Sequence, residues 1–381
     1  MIRPSCLIFA LAVGTATVAG CDSPDPATLS PPSTTALAPG VSAALEVLVT
    51  GDRVPGAQAV ITDRDRRQVL ARGVGDIASG APFAEDARVR IGSNTKTFVA
   101  TVALQLVGEG KWELDAPIER YLPNIVRGNG IDGNRITVRN LLQHTSGLPD
   151  YTSEPDFANE DTRFQQRDPA DMVRGVLSRQ PARFEPGVRW EYSNTNYLLV
   201  GMAIERVTGH AVGEEVTHRI IEPLGLRATS YPRLGDAEVP DPHPLGYLGI
   251  DGRDVEFTRL DPSVAGAAGA MISTGAELNQ FFLALVGGRL LAPAQLAEMQ
   301  RTVPAEEMGP GFQYGLGLAR MPSSCGRQVW GHGGSIFGYR TRGGATPDGR
   351  AATVTVNQHP SVDQVKTDML KAVDVALCSP S

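Results

Sequence analysis

RIGSNTKTF, Arg90 to Phe98, joins a short extended run (ARVRIG) to an apolar helical stretch and sets Ser93 three residues ahead of Lys96. Lysine occurs only at positions 96, 111, 366 and 371, so one at the start of an apolar helix calls for a reason. Residues three apart share a helix face, which aims Lys96 at the Ser93 hydroxyl. The helix N-terminus favours negative charge developing on that oxygen, and burial lowers a lysine pKa toward that of a usable base. This spacing suits a nucleophilic serine with its own base but does not by itself establish one. On this motif alone the commoner job for Ser93, a plain N-cap, is favoured.

Two further stretches carry candidate chemistry. WEYSNTNY puts Tyr192, Ser193 and Asn194 in a polar break before a helix, where on their own they would make a turn and cap. VWGHGGSIFGY sets His332 in an apolar strand, followed by Gly333, Gly334 and Ser335. A lone histidine there would be structural, and the two glycines allow close backbone approach. GNGIDG matches G-x-G-x-x-G through Gly128, Gly130 and Gly133, but it does not link a strand to a helix. It reads as a flexible loop rather than a nucleotide site. No H-E-x-x-H, C-x-x-C or G-x-S-x-G occurs and the six histidines are scattered, so neither a metal nor a cofactor is expected.

The pattern along the chain is strands at both ends with helices between. AQAVITD and RQVLARGVGDI read as a hairpin, and QYGLGLAR, RQVWGHGG, GYRTRGGAT and AATVTVNQ as later strands. VGEEVTHRIIEPLGL, AELNQFFLALVGG, APAQLAEMQR and Asp363 to Leu377 read as helices, as does Val41 to Val49. An α+β fold is expected, with one antiparallel sheet built from both termini and a mostly helical insertion. Its α/β part covers about 41–92 and 263–381, and its helical part about 93–262.

Together, Ser93-x-x-Lys96, Tyr192-x-Asn194 and His332-x-Gly334 resemble the serine β-lactamase and penicillin-binding-protein superfamily. Within it the chain is similar to the class C β-lactamase-related serine hydrolases, and most to the secreted D-alanyl-D-alanine carboxypeptidases. LLQHTSGLPDY, YSNTNY, QYGLGL and GHGG carry the likeness, with a Cys seven residues before His332 and another near the C-terminus. The resemblance implies a β-lactamase/transpeptidase-like fold and an acyl-enzyme on Ser93. It gives Lys96 and Tyr192 the proton transfers without deciding which is the base, and adds His332 to their coupled cluster. Asn194 would orient the substrate amide, and Gly334 and Ser335 would line its strand, with the Ser93 and Ser335 N–H groups as the oxyanion hole. His144 in HTSGL reads as a loop-holding residue. The substrate would be a small peptide, a β-lactam or an ester. The readings are a carboxypeptidase on cell-wall peptides; an esterase, D-amino-acid peptidase or β-lactamase of the same fold; or a non-catalytic penicillin-binding sensor.

Two positions depart from the carboxypeptidase pattern. Ala319 stands where an Arg follows GLGL, and Gly333 where a Thr separates His from Gly, both of which serve the substrate carboxylate. Arg320 is one position off and would face the other side of a strand. Selectivity for a free C-terminal carboxylate is therefore expected to fall, unless Arg340 or Arg342 substitutes. Val264 stands where the carboxypeptidase has a Trp near the site.

The remaining features concern where the protein works. MIRPSCLIFALAVGTATVAGC has a signal-peptide layout, and its VAGC end reads as a lipobox that lipidates Cys21; ordinary cleavage and release is the alternative. Residues 22–40, rich in Pro, Ser and Thr, read as a tether to the 41–381 domain. An extracytoplasmic, lipid-anchored protein follows, with a disulfide expected between Cys325 and Cys378. The net charge of −7 and the absence of basic runs exclude nucleic acid as a partner. A monomer is expected.

Overall fold

Eight short segments with alternating or small side chains pair into one antiparallel sheet. In chain order they are β1 (Gly56–Asp63), β2 (Arg66–Gly73), β3 (Val303–Pro304), β4 (Gln313–Tyr314), β5 (Ala319–Met321), β6 (Val329–Ile336), β7 (Tyr339–Ala345) and β8 (Arg350–Val356). The spatial order β2-β1-β8-β7-β6-β5-β4-β3 sets the first hairpin beside the last strand, so the sheet draws on both ends of the chain. This computed structural model describes residues 38, 40–154, 160–250, 253–359 and 364–379. The expected signal peptide, the candidate lipidation site Cys21 and nearly all of the expected tether lie outside them. Ala38, within the expected tether, is buried in the core, so packing begins before Val41.

Strand alternation divides the sheet between two layers. Ala57, Ala59 and Ile61 of β1 and Ala352, Val354 and Val356 of β8 pack with the helices α1 (Val41–Glu46) and α5 (Gln364–Cys378). On the other face Asn279 of α4 (Gly275–Val286) donates to the Val60 carbonyl at 2.9 Å and accepts from Thr353 at 2.8 Å. Beyond α4 lies α2 (Asn94–Gly108), whose Phe98 stacks on Phe281 with ring centroids 3.6 Å apart. Twelve of the fifteen residues of α2 are buried, because sheet-side and helical elements enclose it on every side. α3 (Thr195–Thr208), stopped by Gly209 at φ 77°, crosses it from the helical part. Among the described residues no helix is long and apolar enough to cross a membrane.

Two local readings change and one gains detail. QYGLGLAR is two strands, β4 and β5, separated by a turn driven into α2. Gly317 there has φ 73°, and a Cβ on it would lie 2.4 Å from Ala100 Cβ. VGEEVTHRIIEPLGL is helical as expected, Val212–Val216 running through a π-helical turn at Thr217–Ile221 into Glu222–Leu224 and stopping at Gly225 in the left-handed region. GNGIDG is no flexible loop: Arg127–Gly128 pairs with Ile131–Asp132 across Asn129 and Gly130, both at positive φ, a two-residue hairpin. Cys325 and Cys378 are joined, tying the β5–β6 connection to the end of α5.

Candidate active site

Ser93 stands at the start of α2 in helical conformation, and its side chain caps no backbone N–H. The plain N-cap reading therefore does not hold. Lys96 Nζ lies 3.0 Å from Ser93 Oγ, 2.7 Å from Asn194 Oδ1 and 2.7 Å from the Ala268 carbonyl oxygen. The lysine is fully buried. Burial lowers its pKa to about 7, against an opposing pull from the Asp150 carboxylate.

The start of α3 supplies the next group. Asn194 accepts from Lys96 and donates to Asp150 Oδ2 at 2.9 Å, so its amide links the lysine to a carboxylate. Tyr192 puts its ring 4.8 Å from Lys96 Nζ. Its hydroxyl is sealed from solvent without a hydrogen-bond partner among the described residues. Burial raises the phenol pKa, with Ser93 and Arg342 pulling the other way, so Tyr192 is held neutral.

His144 does more than hold a loop. It is buried at φ 58°, and its ring lies 4.2 Å from the Tyr192 ring, tilted by 33°. Its Nδ1 accepts from the Ser193 backbone N–H at 3.3 Å and from Asn196 Nδ2 at 3.0 Å. The proton therefore sits on Nε2, and burial pushes the pKa well below the ordinary histidine value. With Thr195 Oγ1 donating to the Pro149 carbonyl at 2.7 Å, these bonds clamp HTSGLPDY against the start of α3 and fix Tyr192 from beneath. The positional signal in the sequence is HTSGL alone, which says nothing about partners 49 and 52 residues on.

β6 closes the site. Gly92 has φ 48°, and a Cβ there would lie 2.7 Å from the Ser335 backbone nitrogen, so the chain just before Ser93 runs against Ser335. Gly334 has a packing reason of its own: a Cβ would sit 1.8 Å from the Ile91 carbonyl oxygen. Ser335 is exposed, and its hydroxyl accepts from Arg340 Nε at 3.1 Å. His332 does not join the lysine–tyrosine pair by hydrogen bonds. Its Nδ1–H donates to the Gly333 carbonyl at 2.5 Å, and its Nε2 accepts from the Tyr314 hydroxyl at 2.9 Å. Burial lowers its pKa to about 3, so it is a neutral prop behind the site rather than a charge that promotes a tyrosinate.

Ser93, Tyr192, Asn194 and Ser335 open together on a cleft of about 230 Å³, continued by Ala265, Phe337 and His359. That volume is small for a ligand site. Val264 is buried and accepts from the Tyr151 hydroxyl at 2.9 Å, so it lines the wall from behind. Among the described residues no three His, Cys, Asp or Glu side chains converge as a metal site would require.

Fold and site define a class: residues 41–376 match the beta-lactamase family, and the chain belongs to it. It is a serine hydrolase of the β-lactamase/penicillin-binding-protein fold. Esterase EstB of Burkholderia gladioli is 30% identical over 345 residues, covering 80% of this chain and 86% of that protein. A D-stereospecific amidohydrolase from Streptomyces sp. superposes with a TM-score of 0.81 at 40% identity, covering 90% of this chain and 99% of its own. The D-amino acid amidase of Ochrobactrum anthropi SV3, solved with L-phenylalanine amide, gives 0.77 at 29% identity, covering 89% and 96%.

Proposed function

We propose that the protein hydrolyses small amides and peptides of D-amino acids through an acyl-enzyme on Ser93, with Lys96 as the base and Tyr192 as the acid. One observation carries this reading: the three contacts of Lys96 Nζ. An ammonium has three protons for three acceptors, whereas a neutral amine has two protons and a lone pair. Asn194 Oδ1 and the Ala268 carbonyl can only accept, so they take both protons of the neutral form. The lone pair is then left for the Ser93 O–H. Burial lowers the lysine pKa to about 7, which makes that form accessible at neutral pH.

The steps balance with these groups alone. Ser93 Oγ attacks the scissile carbonyl carbon, and its proton passes to Lys96 Nζ. The neutral phenol of Tyr192 gives its proton to the leaving amine as the C–N bond breaks, and is reprotonated from the Lys96 ammonium. In deacylation water attacks the ester carbonyl, loses a proton to the same pair, and Ser93 Oγ leaves with that proton. Backbone N–H groups of Ser93 and Ser335 would hold the oxyanion, helped by the N-terminus of α2.

The D-specific relatives support the stereochemistry of the acyl side, and the small cleft suits a short acyl group. Two leaving groups divide the class: ammonia or a simple amine in an amidase, a D-amino acid in a D-alanyl-D-alanine carboxypeptidase. The test is intact-mass measurement after a fluorophosphonate or benzylpenicillin, which should give one adduct that is lost in Ser93→Ala. It should be run beside turnover of a D-Ala-D-Ala peptide, a D-amino acid amide, a p-nitrophenyl ester and a chromogenic cephalosporin. An adduct that persists in Ser93→Ala overturns the proposal. Work outside the cytoplasm, with Cys21 lipidated, is part of it and predicts fatty-acid labelling lost in Cys21→Ala.

A further inference from the structure

The flank of the site on the Gly333 side holds a cation with no counter-charge among the described residues. β6 and β7 pair so that Gly333 faces Arg342 and Ser335 faces Arg340. Residues two apart on a strand point to the same side, so the side-chain position of Gly333 opens on the same face as Ser335, which lines the cleft. That position is filled from the next strand. A Cβ on Gly333 would lie 2.8 Å from Arg342 Cζ and 3.0 Å from its Nη1. The missing side chain is what admits the guanidinium.

Arg342 is half-buried, with Cζ 5.8 Å from the centre of the Phe312 ring. Its Nη1 is buried without an acceptor among the described residues. The charges it feels are another cation, Arg340, and the Tyr192 hydroxyl rather than a carboxylate. A guanidinium taken partly out of water without an acceptor is costly unless a ligand supplies one. By contrast Arg320, beside Ala319, is exposed.

The direction of the cleft says which end of a substrate would meet it. From Ser93 and Ser335 the cleft runs on to Ile336, Phe337 and His359, past the C-terminal side of Ser335. Gly333 and Arg342 lie on the N-terminal side, with Tyr192 as the neighbouring proton donor. An acyl group in the cleft therefore directs its leaving group toward Arg342.

We infer that Arg342, through the space left by Gly333, is the binding site for a carboxylate on the leaving group, so that the preferred substrates are D-peptides ending in a free acid. This rests on the acyl-enzyme reading and replaces the expected loss of carboxylate selectivity. The guanidinium offers a fork that matches a carboxylate, a pairing an amide leaving group cannot provide.

The test compares N-acetyl-D-alanyl-D-alanine with its C-terminal amide, using the full chain. Wild type should show kcat/KM at least about tenfold higher for the acid. Arg342→Met should bring the ratio to about one, with the loss falling mainly on the acid, and Arg342→Lys should restore part of it. Binding to Ser93→Ala, read by calorimetry, measures the same preference without turnover and without altering position 342. If Ser93→Ala binds the acid more tightly but wild type neither turns over nor acylates, the carboxylate site stands and the hydrolytic reading falls. Equal binding of acid and amide, no binding of either, or a ratio unchanged in Arg342→Met overturns the inference.

Discussion

The two sides of Ser93 are built on opposite principles. At the Lys96 corner the lysine is fully partnered: Nζ has three polar contacts, Asn194 passes the network on to Asp150, and the loop at His144 is pinned to α3, while the Tyr192 hydroxyl and His144 Nε2 stay unpaired among the described residues. At the Gly333 flank a guanidinium waits half-buried, without an acceptor for Nη1 among the described residues. A satisfied network fixes geometry and tunes a pKa, which is what proton transfer requires. An unmet donor set discriminates, because it gains only when the right ligand arrives. The chemistry is inherited by motif, and the selectivity is set by which side chain fills the space of one missing Cβ.

The largest expected effects fall on the satisfied side. Lys96→Met should cut the acylation rate by about 10²–10⁴-fold, the usual worth of a positioned base. Gly334→Ala would put a Cβ 1.8 Å from the Ile91 carbonyl oxygen, so β6 and the Ser335 N–H must move off the helix start. A kcat loss of about 10²-fold, that of a removed oxyanion donor, is expected with a small change in KM. Equal kinetics in Gly334→Ala would break the view that this approach is structural to the site. His144→Ala should cost less, about tenfold in kcat, by releasing the Tyr192 ring it packs against, and mutation of Tyr192 should then add less than it does alone. Gly333→Ala offers the sharper probe of the other flank, since it pushes Arg342 away without removing it. The acid preference should fall there while acylation by a fluorophosphonate stays near wild type. Smallest for activity is the Cys325–Cys378 bond, which is remote from the cleft. Cys325→Ser with Cys378→Ser should lower the melting temperature, by up to about 4 kcal/mol of stability on the chain-entropy view, with kcat/KM unchanged.

Much of the satisfied side was legible in the chain. Ser93 and Lys96 share a helix face by spacing alone, and alternating apolar segments at both ends foretold the sheet. What spacing could not carry was tertiary. QYGLGLAR breaks in two because Gly317 is pressed against Ala100, and Thr97 donates to its carbonyl at 2.7 Å. The resemblance adds His332 to the coupled cluster of Lys96 and Tyr192. Its ring is instead satisfied by Tyr314, 18 residues earlier, through a contact that the fold of β4 and β5 creates. Arg342 depends on the register of β6 against β7, and a one-residue slip would send it to the other face.

The central claim is that Lys96 is a neutral amine near pH 7 and the base for Ser93. The scarcity of lysine makes it directly measurable. With lysine labelled by ¹³C at Cε, four side chains report, at positions 96, 111, 366 and 371. One signal, absent in Lys96→Arg, should titrate near pH 7, because burial lowers that pKa. The rate of Ser93 acylation should rise with pH through the same midpoint and then level off. A Lys96 signal that titrates above pH 10, or an acylation rate indifferent to pH between 6 and 8, would contradict the account.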